Sequence, residues 1–431
     1  MDLFGVIGRP ILHSLSPALH NAAWDALGLD ARYVRVASRD ADQALRTARA
    51  IGIRGLNVTS PFKQAAARLA GERDSLAQKL GAANTLRWSA GAWHAHNTDV
   101  AGVRCALACH GVHLEGTSAL VLGAGGAALA AAVALVEKGA AVTVAARDLA
   151  RARSVAALAG CVACSLREAG PVARGARVIV GAVSTDDRVL DRGALQPGAV
   201  VLDARYQSES ALVRDARARG CTVVDGREWL LGQAAEAFRI FAAREAPIAA
   251  MRDALEAPSA KRGVLLPIVG FPGVGKSAVA QLLGQRRGLP VLDTDALVEQ
   301  RGGVPVPRLL RERGEPALRA LEREVLDALP GSPGILSCGG GLLTGPDAAR
   351  LLRERSRLIV WLWASPETCL QRMGDPSGRP LLMPCPEIQA PRLLQERMAG
   401  YAAACDVVVD SEGPSANDVA AMIDELWSEC A

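Results

Sequence analysis

The run GTSALVLGAGGAALAAAVALV, Gly116 to Val136, decides how this chain is to be read. It carries no charge, and its length is that of a membrane span, for which roughly 20 apolar residues suffice. Its interior argues otherwise. SALVL is β-like, the run breaks at Gly123, Gly125 and Gly126, and it resumes as an alanine-rich helix. The pattern predicts a buried strand, a tight turn and a helix, with no segment crossing a membrane. In such a turn Gly123, Ala124, Gly125, Gly126 and Ala127 bring the backbone and a helix N-terminus up to a pyrophosphate.

Outward from that turn the alternation continues through AVTVAAR, ARVIVGA, AVVLDAR and CTVVDG, which predicts a doubly wound parallel sheet over about 118 to 230. The residue after the second strand of such a sheet selects the dinucleotide. A carboxylate accepts from the ribose hydroxyls of NAD, whereas an arginine pairs with the extra phosphate of NADP. Arg147 stands there, which favours NADP, and Asp148 beside it keeps NAD open.

Residues up to about 100 alternate short apolar runs such as YVRVAS with helical ones such as LHNAAWDALGL, an α/β unit of their own. The alanine-rich helical stretch GQAAEAFRIFAAREAPIAAMRDALEA ends in APSAKRG, residues 257–263, a polar, proline-containing linker. After it a strand restarts in VLLPIVGFPGVGKS. There Gly270 to Ser277 has the spacing G-x-x-x-x-G-K-[ST] of a phosphate-cradling loop between strand and helix. In such a loop the backbone N–H groups of Gly273, Val274, Gly275 and Ala278 face phosphate oxygens, Lys276 adds a cation, and Ser277 can ligate Mg²⁺. That much says nucleotide and leaves the acceptor open.

Composition bounds the remainder. At 431 residues the chain exceeds one ordinary core and should hold two or three domains. A formal net charge of +4 and 3% aromatic residues disfavour a base-stacking nucleic-acid surface. The N-terminus lacks the pattern of a secretory signal. Ten scattered cysteines suit a reducing cytoplasm better than a disulfide scaffold. Neither Cys161 with Cys164 nor the group Cys105, Cys109, His110 and His113 has a zinc spacing, so both are read as packing and helix surface.

Several polar clusters remain before residue 100. HSLSP offers Ser14 and Ser16; NVTSPFK offers Asn57, Thr59 and Lys63; GAANTL offers Asn84; HNTD offers Asn97, Thr98 and Asp99. Hydroxyls, amides, one ammonium and one carboxylate suit a small polyhydroxylated acid. Singly each is an ordinary turn former or surface charge. In this order, and with DARYQ (Tyr206) and GREWLLGQAAEAF (Gly226, Gln233), the first 255 or so residues resemble shikimate dehydrogenase. The resemblance implies a substrate lobe over 1–101 completed by 232–256, and a Rossmann-type NADP lobe over 102–231. It implies hydride transfer to the ketone of 3-dehydroshikimate, with Lys63 stabilising the developing oxyanion and Asp99 holding Lys63 in register. Ser14, Ser16, Thr59, Lys63, Asn84, Asp99, Tyr206 and Gln233 match substrate contacts, and Gly226 matches a cofactor contact. The chain departs from the family at Ala146, Arg147 and Asp148, where an asparagine-arginine-threonine clamp is usual. It departs again in VIVGAVSTDD, and at Trp229, where methionine is usual. Quinate is a possible second substrate.

Residues 264–431 resemble shikimate kinase in LDTDALVE (Asp293, Asp295), GEPALRALERE (Arg319, Glu322), SCGGGLL (Gly339, Gly340, Gly341), SGRPLL (Arg379) and QERMAGY (Arg397). The resemblance implies a P-loop domain with a parallel sheet flanked by helices. It places Asp295, Arg319, Gly340 and Arg397 around shikimate, Asp295 beside the acceptor hydroxyl, Asp293 with Ser277 on Mg²⁺, and Arg379 on a lid over ATP. Arg372 matches a nucleotide contact, and Leu318 replaces a usual phenylalanine. Together the resemblances imply consecutive reactions, reduction by NADPH and then phosphorylation by ATP. Two other readings are a non-catalytic shikimate-sensing module in the first half, and a P-loop domain with a different acceptor in the second.

Overall fold

The computed structural model describes residues 1–183, 185, 187–257, 263–345, 347–376 and 378–430. The chain is α/β throughout. Its strands in order are β1 (Asp2–Gly8), β2 (Ala31–Ala37), β3 (Ile53–Val58), β4 (Glu72–Arg73), β5 (Thr85–Ser89) and β6 (Ala92–His96). Then come β7 (Ser118–Leu122), β8 (Ala141–Ala146), β9 (Val162–Ser165), β10 (Val178–Gly181), β11 (Val200–Asp203) and β12 (Thr222–Val224). The last are β13 (Leu265–Val269), β14 (Val291–Asp293), β15 (Gly334–Ser337), β16 (Val360–Trp363) and β17 (Val407–Asp410).

These fold as two compact units. One comprises Met1–Pro17, Asp30–Phe62 and Ala257–Ala431, the other Ala18–Leu29 and Lys63–Glu256. In the first unit the strands lie in the order β14-β15-β13-β16-β17-β2-β1-β3, all parallel. The strands after residue 264 and those before residue 59 thus share one sheet, joined where Val408 pairs with Val36 and Val409 with Ala37. Its strands β13, β15, β16 and β17 read as near-continuous apolar runs, as parallel strands covered on both faces do. VVV in β17 and VWLW in β16 are buried over their apolar length.

The second unit contains the antiparallel hairpin β5-β6 and a parallel sheet ordered β12-β11-β10-β7-β8-β9. The strand order reverses between β7 and β10, the crevice where open α/β sheets bind ligands. The run Gly116 to Val136 forms β7, a turn, and the helix Gly126–Val136. Residues Ala128 to Leu135 of that helix are all buried. It is apolar all round because it is a core helix, and no described helix is long and apolar enough to cross a membrane. The expected linker falls largely on 258–262, outside the described residues, as do Ser184 and Asp186 of VIVGAVSTDD.

Candidate active sites

In the second unit, Lys63 opens the helix Lys63–Leu69, and Asp99 opens the helix Asp99–Ala108. Their side chains meet at 2.6 Å, with Asp99 8% exposed and Lys63 27%. The carboxylate is held from several sides. Asn84 donates through Nδ2 to Asp99 Oδ1 at 2.9 Å, and accepts through Oδ1 from the Thr98 amide at 2.8 Å. Asn97 Oδ1 accepts from the Asp99 amide at 3.1 Å. Gln233 Oε1 lies 3.3 Å from Asn84 Nδ2. Lys63, Asn84, Asp99 and Gln233 are therefore one connected network. An ammonium fixed by a shielded carboxylate, at a place solvent still reaches, can donate a proton or face a developing oxyanion.

Gln233 reaches this network because its helix, Gly226–Ala242, packs closely on Asp99–Ala108. A Cβ added at Gly232 would stand 2.7 Å from Cys105 Cβ, and one at Gly102 would stand 2.6 Å from the Trp229 carbonyl oxygen. Trp229 donates its indole N–H to the Asp99 carbonyl at 3.0 Å. Trp229 is thus part of the support of the site, a role that the sequence, read for family departures, does not reveal.

In the same unit Gly123 has φ 121°, and a Cβ there would stand 2.4 Å from the Ala182 carbonyl oxygen, so only glycine fits where the two crevice loops approach. Gly125 is the N-cap of the helix Gly126–Val136, with open space at Gly125 and Gly126. Ala124 and Ala127 are half-buried. Arg147 is exposed after β8. Asp148 caps the helix Leu149–Ala159, accepting from the Arg151 amide at 3.1 Å. That use of the carboxylate weakens the case for it as a ribose ligand. Tyr206 is half-buried in the loop after β11. Gly226 lies so near the Asp203 and Arg205 carbonyls that a Cβ would stand 2.5 Å from each oxygen.

Ser14, Ser16 and Thr59 belong to the first unit. The two serine hydroxyls are 3.3 Å apart. Thr59 follows β3 and donates its amide to Ile7 at 2.9 Å. Asn57 accepts from the Tyr33 hydroxyl at 2.6 Å.

The phosphate-loop sequence folds as expected: β13, then a loop with φ 143°, 83° and 102° at Gly270, Gly273 and Gly275, then the helix Lys276–Arg287. A Cβ at Gly273 would stand 2.3 Å from the Cys369 carbonyl oxygen. The Val274 side chain is buried, so any ligand contact there is through its backbone. Ala278 is exposed on the first helical turn. Lys276 is buried and donates to the carbonyls of Gly270 at 2.9 Å and Phe271 at 3.0 Å. Burial lowers its pKa to about 8, with Asp295 opposing the shift and Arg379 adding to it. Ser277 Oγ lies 3.1 Å from Ser337 Oγ. Asp293 Oδ1 caps the helix Thr294–Gly302, accepting from the Asp295 amide at 2.9 Å and the Ala296 amide at 3.3 Å.

Beside this loop, Asp295, Arg319, Gly340, Arg379 and Arg397 line one cavity of about 120 Å³, walled on its apolar side by Leu318 and Leu382. Asp295 opens to solvent through the cavity, yet stands deep enough among protein atoms that burial, and then the Asp293 charge, raise its pKa. A Cβ at Gly339 would stand 2.1 Å from Asp295 Oδ1, so a larger residue there would push the carboxylate from its place in the cavity. Arg319 donates to the Gly341 carbonyl at 2.9 Å and to Glu322 at 2.7 Å. Burial raises the pKa of Glu322, and the Arg319 charge opposes that shift. Arg397 is 6% exposed, stands over the Phe271 ring at 5.9 Å, and its Nε has no hydrogen-bond partner among the described residues. An orphaned guanidinium donor in a cavity with a second arginine fits a carboxylate ligand. Arg372 instead donates to the carbonyls of Val274 at 3.2 Å and Ser411 at 2.6 Å, bracing the loop from behind. Tyr401, unmarked in the sequence reading, donates its hydroxyl to the Gly340 carbonyl at 2.5 Å and so fixes the cavity floor.

All ten cysteines are free thiols. Among the described residues no cluster of three or more His, Cys, Asp or Glu could hold a metal. Mg²⁺ needs no such cage when phosphates and water complete its shell.

The profile of the shikimate dehydrogenase substrate binding domain matches residues 6–86, that of shikimate / quinate 5-dehydrogenase matches 106–206, and that of shikimate kinase matches 272–427. Shikimate dehydrogenase (NADP(+)) of Halobacterium salinarum is 48% identical over 265 residues, covering 60% of this chain and 99% of that protein. Among solved structures, the Thermus thermophilus shikimate 5-dehydrogenase in complex with NADP(H) and shikimate aligns with a TM-score of 0.55 at 35% identity, covering 59% of this chain and 99% of that one. Quinate dehydrogenase from Corynebacterium glutamicum in complex with NAD aligns with a TM-score of 0.55 at 32% identity, covering 59% and 98%. The chain therefore belongs to the shikimate dehydrogenase family and carries a shikimate kinase domain after it.

Proposed function

We propose that the chain catalyses two consecutive steps, reduction of 3-dehydroshikimate to shikimate and phosphorylation of shikimate at its 3-hydroxyl. NADPH supplies the hydride, and ATP with Mg²⁺ supplies the phosphoryl group. The substrate lobe is residues 1–101 with 232–256, the dinucleotide lobe 102–231, the linker 257–263 and the kinase domain 264–431. Ser14, Ser16, Thr59, Asn84, Tyr206 and Gln233 bind the acid in the first step. Lys63 donates its proton to the oxygen that gains negative charge, and Asp99 keeps the ammonium aimed at it. Arg147 pairs with the phosphate that distinguishes NADP, and the Gly123–Ala127 turn with Gly226 admits the rest of the dinucleotide.

In the second step Arg319 and Arg397 hold the carboxylate while Asp295, with its raised pKa, takes the acceptor hydroxyl's proton. Lys276 and Arg379 stabilise the charge on the transferring group. Ser277 and Asp293 would hold Mg²⁺, directly or through water. With every thiol free, a reducing cytoplasm is the compartment that suits the chain.

The observation that carries the two-step reading is the cavity in which Asp295, Arg319, Gly340 and Arg397 converge beside the phosphate loop. The test is a coupled assay on the full chain with 3-dehydroshikimate, NADPH, ATP and Mg²⁺, with products identified by mass. Shikimate 3-phosphate is expected. NADPH oxidation that stops at shikimate would reject the kinase acceptor, and no oxidation would make the first half a binding module. The likeness to a quinate dehydrogenase gives a second substrate worth assaying in the oxidative direction, where growth of the NADPH signal with quinate would add it.

A further inference from the structure

The serine loop of the first half is held by the second half. Residues 9–14, RPILHS, lead from β1 to Ser14 and Ser16, and the C-terminal helix Ala416–Glu429 of the kinase half lies along them. Glu429 Oε2 accepts from two successive backbone amides, Ile11 at 3.3 Å and Leu12 at 3.1 Å. One turn earlier, Glu425 pairs with Arg9 at 2.8 Å. A third tie comes from the start of β17. Arg35 donates to the Ser14 carbonyl at 2.7 Å and to the Asp406 carbonyl at 3.3 Å, bridging the serine to the kinase strand. The loop closes on itself through the Ser14 amide and the Ile11 carbonyl at 3.1 Å. Fixing Ile11 and Leu12 therefore fixes where the serine hydroxyls stand.

A carboxylate accepting two adjacent amides forms charge-assisted hydrogen bonds, stronger and more directional than neutral ones. A cavity of about 400 Å³, walled also by His13, Arg35 and Arg357, lies beside Leu12 and the Glu429 carboxylate. Without that carboxylate, the Ile11 and Leu12 amides would turn to water and the loop would sample other conformations. Substrate binding would then bear the cost of ordering it.

We propose that Glu429, in the kinase half, is a positioning residue for the dehydrogenase reaction, setting the serine loop for 3-dehydroshikimate. This rests on the reading of Ser14 and Ser16 as substrate contacts. The test measures both activities of full-length Glu429→Ala, Glu429→Gln and Ser16→Ala on single preparations. For Glu429→Ala the dehydrogenase KM for 3-dehydroshikimate should rise about three- to ten-fold, the effect of losing roughly 1 kcal/mol of preorganisation, with kcat within about twofold. Glu429→Gln keeps an acceptor oxygen and should recover most of the loss. Kinase kcat/KM should stay within about twofold of the parent in both, since Glu429 lies outside that cavity.

Ser16→Ala separates the proposal from the reading under it. A raised KM in Ser16→Ala with an unchanged KM in Glu429→Ala overturns the positioning role and leaves the serine reading standing. An unchanged KM in both overturns the serine reading and the proposal with it. A parallel fall of dehydrogenase and kinase activity in Glu429→Ala, or Glu429→Gln behaving like Glu429→Ala, would mark a merely structural helix end and also overturn the proposal.

Discussion

The two lysines proposed to carry the chemistry are treated by the chain in opposite ways. Lys63 is partly exposed and paired with Asp99 at 2.6 Å. Lys276 is buried, donates to the backbone carbonyls of Gly270 and Phe271, and its pKa falls to about 8. In the proposed reactions the first would face a developing oxyanion, and the second is a cation made costly by burial that a bound phosphate would relieve. Lys63→Met keeps the stem and removes the charge. It should lower dehydrogenase kcat by about 10²- to 10⁴-fold, followed by NADPH absorbance, while kinase turnover on the same sample holds. Asp203 is a second case of buried charge. Burial raises its carboxyl pKa, although Ser210 donates to it at 2.5 Å and the Arg205 amide at 3.0 Å. A raised native pKa means that stability is greatest below the ordinary carboxylate value and is lost as pH rises through the native one. Asp203→Asn removes that loss, so urea midpoints should show the variant gaining on the parent as pH climbs from about 4 toward neutrality. The polar residues at both sites were legible because their types and order carry chemistry. Tyr401 and the supporting role of Trp229 escaped because aromatics in a core are ordinary until their partners are seen.

Elements were legible wherever glycine spacing and hydrophobic period agree. β7 with its turn and helix, and β13 with the phosphate loop, form as the sequence implies. Less legible is how two helices meet. The helices Asp99–Ala108 and Gly226–Ala242 cross through Gly102 and Gly232, so close that the missing side chains define the contact. In sequence each is an isolated helix glycine, a residue whose intrinsic cost in a helix is about 1 kcal/mol. Here that cost is offset by bringing Gln233 to Asn84 and Trp229 to Asp99. Gly102→Ala should therefore reverse its usual sign. Propensity favours alanine, but its Cβ would stand 2.6 Å from the Trp229 carbonyl oxygen and from its ring Cδ1. Overpacking of this kind typically costs about 1–3 kcal/mol, readable in a urea titration. Dehydrogenase activity should fall with it as the network loosens. A variant as stable and as active as the parent would show that the helices can separate without disturbing the site.

Over the whole molecule, the sequence marks a boundary near residue 257 and says nothing of what happens across it. Linker composition reads as separation, yet β17 of the kinase half pairs with β2 of the dehydrogenase half and extends one parallel sheet. No local pattern announces this, because neither ARYVRVA in β2 nor VVVD in β17 specifies which strand lies beside it. The pairing removes two exposed edges at once, each a template for unwanted association. Thr47 adds a side-chain tie at 2.8 Å to Asp410 at the end of β17. A shared sheet should open as a shared unit, so a ligand of the kinase alone should protect dehydrogenase strands. ADP is the proper probe, since shikimate would be bound by both halves. With ADP at about 100 times its Kd, linkage allows up to about 2.7 kcal/mol of added stability. Amide exchange in Ala31–Ala37 should then slow by up to about 100-fold, read by mass spectrometry of peptides spanning β2. Unchanged exchange there, alongside slowed exchange in β13 and β16, would mean that the first strands open independently and that the join at Val408 and Val36 transmits no stability.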